Sequence, residues 1–198
     1  MLEVKDATIV IGGKTLARRL SFTARDGQLT CITGAEGSGK TTLLRTLMGF
    51  LPVEEGFVSM DGELLTVYSA HAFRCFMAYL PQNIGRLAHQ LRAPEAPVGE
   101  TDEYAVWNMV LPSVEPEREA DTLSPEDVFR LEELTILAAE DRQIIIADEP
   151  AACLSSELTE RLLALLQLQA SKGKTVLIAS RRPSLVARAA QVVNLDLL

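Results

Sequence analysis

The chain has 198 residues, 47% of them hydrophobic, which is enough to bury a substantial core in a single domain. Its net charge of -8 and isoelectric point of about 4.9 argue against a nucleic-acid backbone as the main partner. No apolar run approaches the roughly 18 residues that a spanning helix needs, and the acidic N-terminal residues do not fit a signal peptide. We therefore expect a soluble, cytoplasmic protein.

The chain has three cysteines, and none of them shows C-x-x-C spacing. This pattern predicts neither disulfides nor zinc, and the cysteines are expected to be buried or half-buried.

The first half of the chain predicts mostly strands. The predicted elements are strands at 2–11, 20–24, 28–33, 57–60 and 77–80 and helices at 41–48 and 69–76. The first two strands alternate apolar and polar residues around Gly12 and Gly13, which predicts an antiparallel pair. From 83 to 121 the composition changes, because prolines and acidic residues leave only short helical pieces. We interpret this stretch as an inserted, mostly helical subdomain on the surface.

Residues 34–41, Gly-Ala-Glu-Gly-Ser-Gly-Lys-Thr, match the phosphate-binding pattern G-x-x-x-x-G-K-[ST] at every fixed position. The predicted strand before the loop and the predicted helix after it supply the context that this pattern requires. The glycines let main-chain amides turn inward into an anion-binding nest, and the helix N-terminus adds partial positive charge. Lys40 is expected to reach the β- and γ-phosphates and the Thr41 hydroxyl to bind Mg²⁺. The predicted nucleotide-binding residues are Gly34, Glu36, Gly37, Ser38, Gly39, Lys40, Thr41 and Thr42.

The second half alternates helices with short buried strands, which favours a mainly parallel α/β sheet. Ser124 and Ser155 are predicted helix N-caps, and Pro125 is predicted at a first helical position. The predicted elements are a helix from 125 to about 140, a strand at 144–147, a helix to 170, a strand at 175–179, a helix after Pro183 and a strand at 192–195.

An acidic pair, Asp148 and Glu149, follows the four apolar residues of the strand at 144–147. A parallel sheet places such a pair at a carboxyl edge, beside the phosphate loop. One carboxylate is expected to hold Mg²⁺ through water and the other to orient and polarise the attacking water. The alternative is a solvated acidic pair at a strand end, an interpretation that the phosphate loop disfavours.

With these motifs in order, the chain resembles the ATP-binding cassette (ABC) ATPase family over nearly all of its length. The resemblance implies a P-loop NTPase fold in one domain, 1–198, with a core subdomain of 1–82 and 141–198 and a helical subdomain of 83–140. Gln82 follows a Tyr-Leu-Pro segment and matches the family glutamine that contacts Mg²⁺ and the water. The implied catalytic residues are Glu149 and Gln82, the implied metal ligands are Thr41, Gln82 and Asp148, and the implied cofactors are ATP and Mg²⁺.

The chain departs from the family where a cassette contacts its partner's ATP. The family signature L-S-G-G-Q is replaced at 123–127 by Leu-Ser-Pro-Glu-Asp, in which Pro125 lacks an amide donor and Glu126 and Asp127 add negative charge. Arg181 stands at the position of the switch histidine, and Ser155 at that of the D-loop aspartate. The resemblance therefore implies a degenerate member.

The adenine-stacking aromatic residue of the family falls near Ile11, which has no aromatic ring. The insert between Gln82 and residue 123 is short for the family.

The resemblance implies an ATP-binding, slowly hydrolysing subunit of an ABC-type membrane transporter. It would pair with a second cassette subunit, as a homodimer or a heterodimer, and with a separate membrane-spanning protein docked on residues 83–122. That docking would make it peripheral to the membrane. The alternative is a regulatory or scaffold protein that binds ATP without useful turnover. A small-molecule P-loop kinase fits the motifs less well, and no N-K-x-D motif indicates a GTPase.

Overall fold

A computed structural model describes residues 1–82 and 124–197, which form an α/β structure with two sheets. The strands are β1 Leu2–Ile11, β2 Lys14–Ala24, β3 Leu29–Thr33, β4 Glu55–Met60, β5 Glu63–Leu64, β6 Met77–Leu80, β7 Ile144–Asp148, β8 Thr175–Ala179 and β9 Gln191–Asn194. The helices are α1 Lys40–Leu47, α2 Ala70–Cys75, α3 Pro125–Ala138, α4 Ser156–Ser171, α5 Pro183–Arg188 and a 3₁₀ helix Leu195–Leu197. The predicted insert and the docking segment at 83–122 lie outside the described residues.

The larger sheet has the strand order β6-β7-β8-β3-β9, and every neighbouring pair in it is parallel. The predicted parallel α/β sheet is therefore confirmed. Its strands are short and apolar because both faces of the sheet are covered. Along β7, Ile144 and Ile146 face one core while Ile145 and Ala147 face the other.

Helix α1 and the smaller sheet cover one face of the parallel sheet, and helices α3, α4 and α5 cover the other. On the first face, Leu43, Leu44 and Leu47 of α1 share a core with β1 residues such as Val4. On the second face, a run of leucines from α4 packs against alternate residues of β3, β7 and β8. The parallel sheet is thus packed between two cores, which hold its carboxyl edge in place.

The smaller sheet is antiparallel, with the order β2-β1-β4-β5. The predicted pairing of the first two strands is confirmed, but β2 begins at Lys14 and not at residue 20. Gly12 and Gly13 both have positive φ, so they form a two-residue turn from which β2 starts at once. Arg19, also at positive φ, interrupts the alternation of apolar and polar residues along β2. The sequence pattern therefore did not show where this strand begins.

The predicted caps and the cysteine expectations can be compared directly with the structure. The Ser124 and Ser155 side chains accept the main-chain N–H of Asp127 and Leu158, respectively, so both N-caps are confirmed.

Cys31 is buried, but Cys75 and Cys153 are exposed, so the expectation of burial was wrong for these two. Cys75 ends the short surface helix α2, and Cys153 lies in the turn after β7.

Because the five strands run the same way, the residues that follow them meet at one edge. The segments at this edge are Pro81 and Gln82 after β6, Glu149 after β7, Ser180 and Arg181 after β8, residues 34–39 after β3 and Asp196 after β9. That edge carries the candidate site.

Candidate functional site

The phosphate loop lies between β3 and the N-terminus of α1, as the sequence predicts. Lys40 is buried, and its Nζ donates to the carbonyl oxygens of Gly34 and Ala35, each at 2.9 Å. Gly39 precedes α1 at φ 94°, a left-handed conformation that glycine adopts without strain. A Cβ there would also approach the Leu16 side chain at 3.3 Å, so the β2 strand packs closely on the loop. The loop is therefore held around the lysine amino group.

Asp148 is buried at the end of β7, below the phosphate loop. The Tyr79 hydroxyl donates to its Oδ2 at 3.4 Å. Burial raises the pKa of Asp148 above its ordinary value, and the nearby Thr41 hydroxyl acts in the opposite direction. Burial, with the charge of Asp148, raises the pKa of Tyr79 to about 12, so this hydroxyl remains a donor.

Glu149 is held in a left-handed conformation at φ 47°, which is uncommon outside glycine. Its N–H donates to the Ala179 carbonyl at 2.8 Å, which ties the turn to β8. This turn aims the carboxylate at the loop, where Oε1 lies 3.7 Å from the Lys40 Nζ. Backbone strain of this kind is found at functional sites, where surrounding contacts maintain it.

Arg181 completes a row of charges across the mouth of the site. Its Nε lies 3.5 Å from the Glu149 Oε1, and its main-chain N–H donates to the Glu149 Oε2 at 3.4 Å. Its Nη1 lies 3.3 Å from the Glu36 Oε2 on the phosphate loop. Carboxylates and cations thus alternate in the order Glu36, Arg181, Glu149, Lys40.

The site residues fit a magnesium ion. The Asp148 Oδ1 is buried and has no hydrogen-bond partner among the described residues, which is costly unless a cation or water contacts it. Thr41 and Gln82 line the cavity and carry a hydroxyl and an amide oxygen, respectively. Oxygen donors are the ligands that Mg²⁺ prefers. Within residues 1–82 and 124–197 there is no cluster of three or more His, Cys, Asp or Glu that could hold a metal by itself.

Most of the predicted site residues line one cavity of about 300 Å³ at this edge. The lining residues are Leu16, Glu36, Gly37, Gly39, Lys40, Thr41, Thr42, Gln82, Glu149 and Arg181. Gly34, Ser38 and Asp148 are not among them. Gly34 presents its carbonyl to Lys40, the Ser38 Oγ is buried inside the loop, and Asp148 is buried at the end of β7. Ile11 is not a lining residue either, whereas Leu16 is.

Sequence reasoning missed three contributors to this site. Leu16 was missed because β2 was expected to start only at residue 20. Tyr79 was missed because its strand, β6, was expected only to precede Gln82. Asp196 accepts the Ala35 N–H on the outer side of the loop. For Tyr79 the signal was present, since its strand β6 neighbours β7 and both strands end at this edge.

A parallel sheet with a phosphate loop after one strand and an acidic pair after another defines a P-loop nucleotide-binding protein. The family model for ABC transporters matches residues 17–152. The chain belongs to the ABC transporter family, in which it is an ATP-binding cassette.

Individual relatives agree with this family. An ATP-dependent lipid A-core flippase of Burkholderia thailandensis is 30% identical over 201 residues, covering 93% of this chain and 33% of the flippase. A hemin import ATP-binding protein of a Ruegeria species is 40% identical over 81 residues, covering 41% of this chain and 31% of that protein. The matched regions therefore span about a third of the length of these curated relatives.

A solved structure agrees on the fold. A nucleotide-free ATP-binding cassette from an ABC transporter matches with a TM-score of 0.72 at 20% identity, over 98% of this chain and 86% of that one. No helix in the described part of the chain has the length and apolar character needed to cross a membrane.

Proposed function

We propose that this chain is the ATP-binding subunit of an ABC-type membrane transporter, and that it binds ATP with Mg²⁺ and hydrolyses it slowly. The observation that carries the proposal is that Lys40 and Glu149 line one cavity with their charged groups 3.7 Å apart, while Asp148, the residue before Glu149, is buried at the end of β7. We assign the phosphates to Lys40 and the loop amides, and the metal to Thr41, Asp148 and Gln82. When bound there, Mg²⁺ would neutralise charge on the β- and γ-phosphates.

The residues of this chain have distinct tasks in the proposed reaction. Lys40 binds phosphate oxygens in place of the Gly34 and Ala35 carbonyls that it contacts now. Glu149 orients and polarises the attacking water, for which its carboxylate leaves Lys40. Gln82 lies at the start of the segment leading to the proposed helical subdomain of 83–140, and it would supply a ligand to the metal and contact the water. The core subdomain, 1–82 and 141–198, holds these groups in the relative positions that the reaction needs.

Slow hydrolysis follows from the segment that would face a partner's ATP. Pro125 at the first position of α3 has no N–H to donate, and Glu126 and Asp127 follow it in the first turn. The Ser124 hydroxyl accepts the Asp127 N–H and donates to the Asp127 Oδ2 at 2.8 Å, so it is already engaged within its own helix. Phosphate donors of this kind supply a large part of catalysis, and a homodimer would lack them at both sites.

The proposed partners are a second cassette subunit and a separate membrane-spanning protein, which would make the chain peripheral to the membrane. The second candidate function is a regulatory or scaffold protein that binds ATP without useful turnover, and the Ser-Pro-Glu-Asp segment at 124–127 favours it. Proteins that co-purify with the chain distinguish the two, because a transporter subunit is expected to bring a membrane protein with it.

The test is the ATPase rate and the ATP-dependent dimerisation of the pure chain beside Glu149→Gln. We expect weak turnover and little dimerisation driven by ATP. Fast turnover that Glu149→Gln abolishes would refute the proposed slow hydrolysis. It would mean that residues 123–127 and Arg181 replace the usual family residues without loss.

A further inference from the structure

Tyr79 and Asp148 lie on the same face of the parallel sheet. Tyr79 of β6 is opposite Ile146 of β7, and both side chains pack in the core that α1 covers. Asp148 is two residues further along β7, and residues two apart on a strand share a face. From its position on β6 the Tyr79 hydroxyl therefore reaches the Asp148 carboxylate diagonally across the strand pair.

The two oxygens of the Asp148 carboxylate have different surroundings. Oδ2 accepts the Tyr79 hydroxyl at 3.4 Å, whereas Oδ1 is buried and has no hydrogen-bond partner within the two described stretches of the chain. The whole residue is only 1% exposed, so bulk water solvates neither oxygen well. A phenol is a donor at neutral pH, so the contact with Oδ2 holds one oxygen of the pair and leaves the other one without a protein partner.

We propose that Tyr79 is a positioning residue for the metal site, because its hydroxyl holds the Asp148 Oδ2 and so leaves the Oδ1 for Mg²⁺. This inference rests on the proposed function, in which Asp148 is a metal ligand. The terminal torsion of an aspartate is broad, so a carboxylate with neither oxygen held takes up several orientations. A donor that holds one oxygen limits this freedom before the ion binds, as groups behind metal ligands do in other proteins.

Two other accounts of this contact make different predictions. If Tyr79 competes with the ion for the carboxylate, removal of the hydroxyl strengthens ion binding. If the tyrosine only packs its ring in the core that α1 covers, removal of the hydroxyl leaves ion binding unchanged, since phenylalanine keeps the ring. The positioning role alone predicts weaker ion binding without the hydroxyl.

The test is titration of the full chain with a non-hydrolysable triphosphate analogue of ATP, over a series of free Mg²⁺ concentrations and in EDTA. The wild type is compared with Tyr79→Phe and with the matched control Tyr68→Phe, which changes a tyrosine that is 94% exposed. We expect Tyr79→Phe to need about three- to fivefold more Mg²⁺ for half-maximal tightening of the nucleotide. The factor is modest because 3.4 Å is long for a hydrogen bond between two oxygens. In EDTA all three proteins are expected to bind alike.

Two further measurements separate positioning from packing. Electron paramagnetic resonance of Mn²⁺, bound with the analogue, reports the ion directly, and Tyr79→Phe should weaken it by a similar factor. The same change is then made in an Asp148→Asn background, where it should have no further effect because the carboxylate is gone. A further loss of equal size in that background would show that Tyr79 does not act through Asp148.

An unchanged or lower Mg²⁺ requirement in Tyr79→Phe would overturn the proposal, and so would an equal loss of nucleotide affinity in Mg²⁺ and in EDTA. A failure of the proposed function looks different. In that case the wild type itself binds the analogue equally well with and without Mg²⁺, or Lys40→Ala binds it as tightly as the wild type.

Discussion

The Asp196 carboxylate accepts the main-chain N–H of Ala35, with N to oxygen distances of 2.9 and 3.0 Å. Asp196 lies in the 3₁₀ helix after β9, at the far end of the chain from the phosphate loop. A Cβ on Gly34 would lie 3.2 Å from the Asp196 Oδ1 and 2.6 Å from the Ser38 Oγ, so the carboxylate fits closely against the loop. Asp196 therefore braces the loop from outside.

We predict that Asp196→Ala loosens the phosphate loop while Asp196→Asn does not. Alanine removes the acceptor, a loss of about 1 kcal/mol, whereas asparagine keeps an acceptor oxygen and removes only the charge. Hydrogen exchange of the Ala35 amide should quicken in Asp196→Ala, and nucleotide affinity should fall several-fold. Asp196→Asn should bind at least as tightly as the wild type, since a negative charge near the phosphates is gone. Equal exchange rates in all three proteins would contradict the bracing role.

Arg182 fixes the turn after β7 to the segment after β8. Its Nη2 donates to the Leu154 carbonyl at 2.8 Å and its Nη1 to the Thr159 hydroxyl at 2.6 Å. We predict that Arg182→Ala lowers the free energy of unfolding by about 1.5–3 kcal/mol, the range for hydrogen bonds to a charged group. Denaturant unfolding measures this, with the exposed Arg188→Ala as the control, expected within about 1 kcal/mol of the wild type. A loss no larger than that of the control would contradict the prediction.

Glu132 of α3 is 2% exposed, and its Oε2 has no hydrogen-bond partner among the described residues. Burial raises its pKa from 4.5 to about 9. The folded chain thus keeps a proton that the unfolded chain releases, so this group makes the folded state less stable as pH rises from about 4.5 to about 9. The effect reaches at most about 1.4 kcal/mol per pH unit.

We predict that Glu132→Gln removes this dependence, so that the variant gains stability over the wild type as pH rises. Urea unfolding at several pH values between about 5.5 and 8 measures the difference. The exposed Glu126→Gln in the same helix is the control and should show no such divergence. Parallel pH curves for the wild type and Glu132→Gln would show that the buried carboxyl does not hold its proton.

Base recognition is expected to be loose. Ile11 offers no aromatic face for a purine, and the apolar contact at the cavity comes from Leu16, which suits either purine. We predict that ATP and GTP bind within about threefold of each other. A strong ATP preference of the wild type in titrations would show that another residue reads the base.

The parts of the site that follow from short stretches of sequence were predictable. The loop around Lys40 and the acidic pair after β7 each carry a local pattern, and parallel strands bring such patterns to one edge whatever the strand order. The caps of α3 and α4 were equally local, because Ser124 and Ser155 act on an N–H three residues away.

Contacts that depend on strand order were not predictable. The order places β3 between β8 and β9, which brings Arg181 and Asp196 to either side of the loop. Nothing in the spacing of a single sequence fixes that order. Arg181 was recognised only as a departure from the family pattern, and its pairing with Glu149 required the turn at φ 47°. The strand β5 was missed because Glu63 and Leu64 are too few to show alternation.

The most direct test of the account is titration of Mg²⁺-ATP into the full chain, comparing the wild type with Lys40→Ala. Lys172→Ala is the matched control, because this lysine is exposed after α4 and precedes β8, whose other end carries the site. We predict saturable binding by the wild type and by Lys172→Ala, and a loss of affinity of about tenfold or more in a Lys40→Ala protein that remains folded. A folded Lys40→Ala protein that binds ATP as tightly as the wild type would contradict the assignment of the phosphate site.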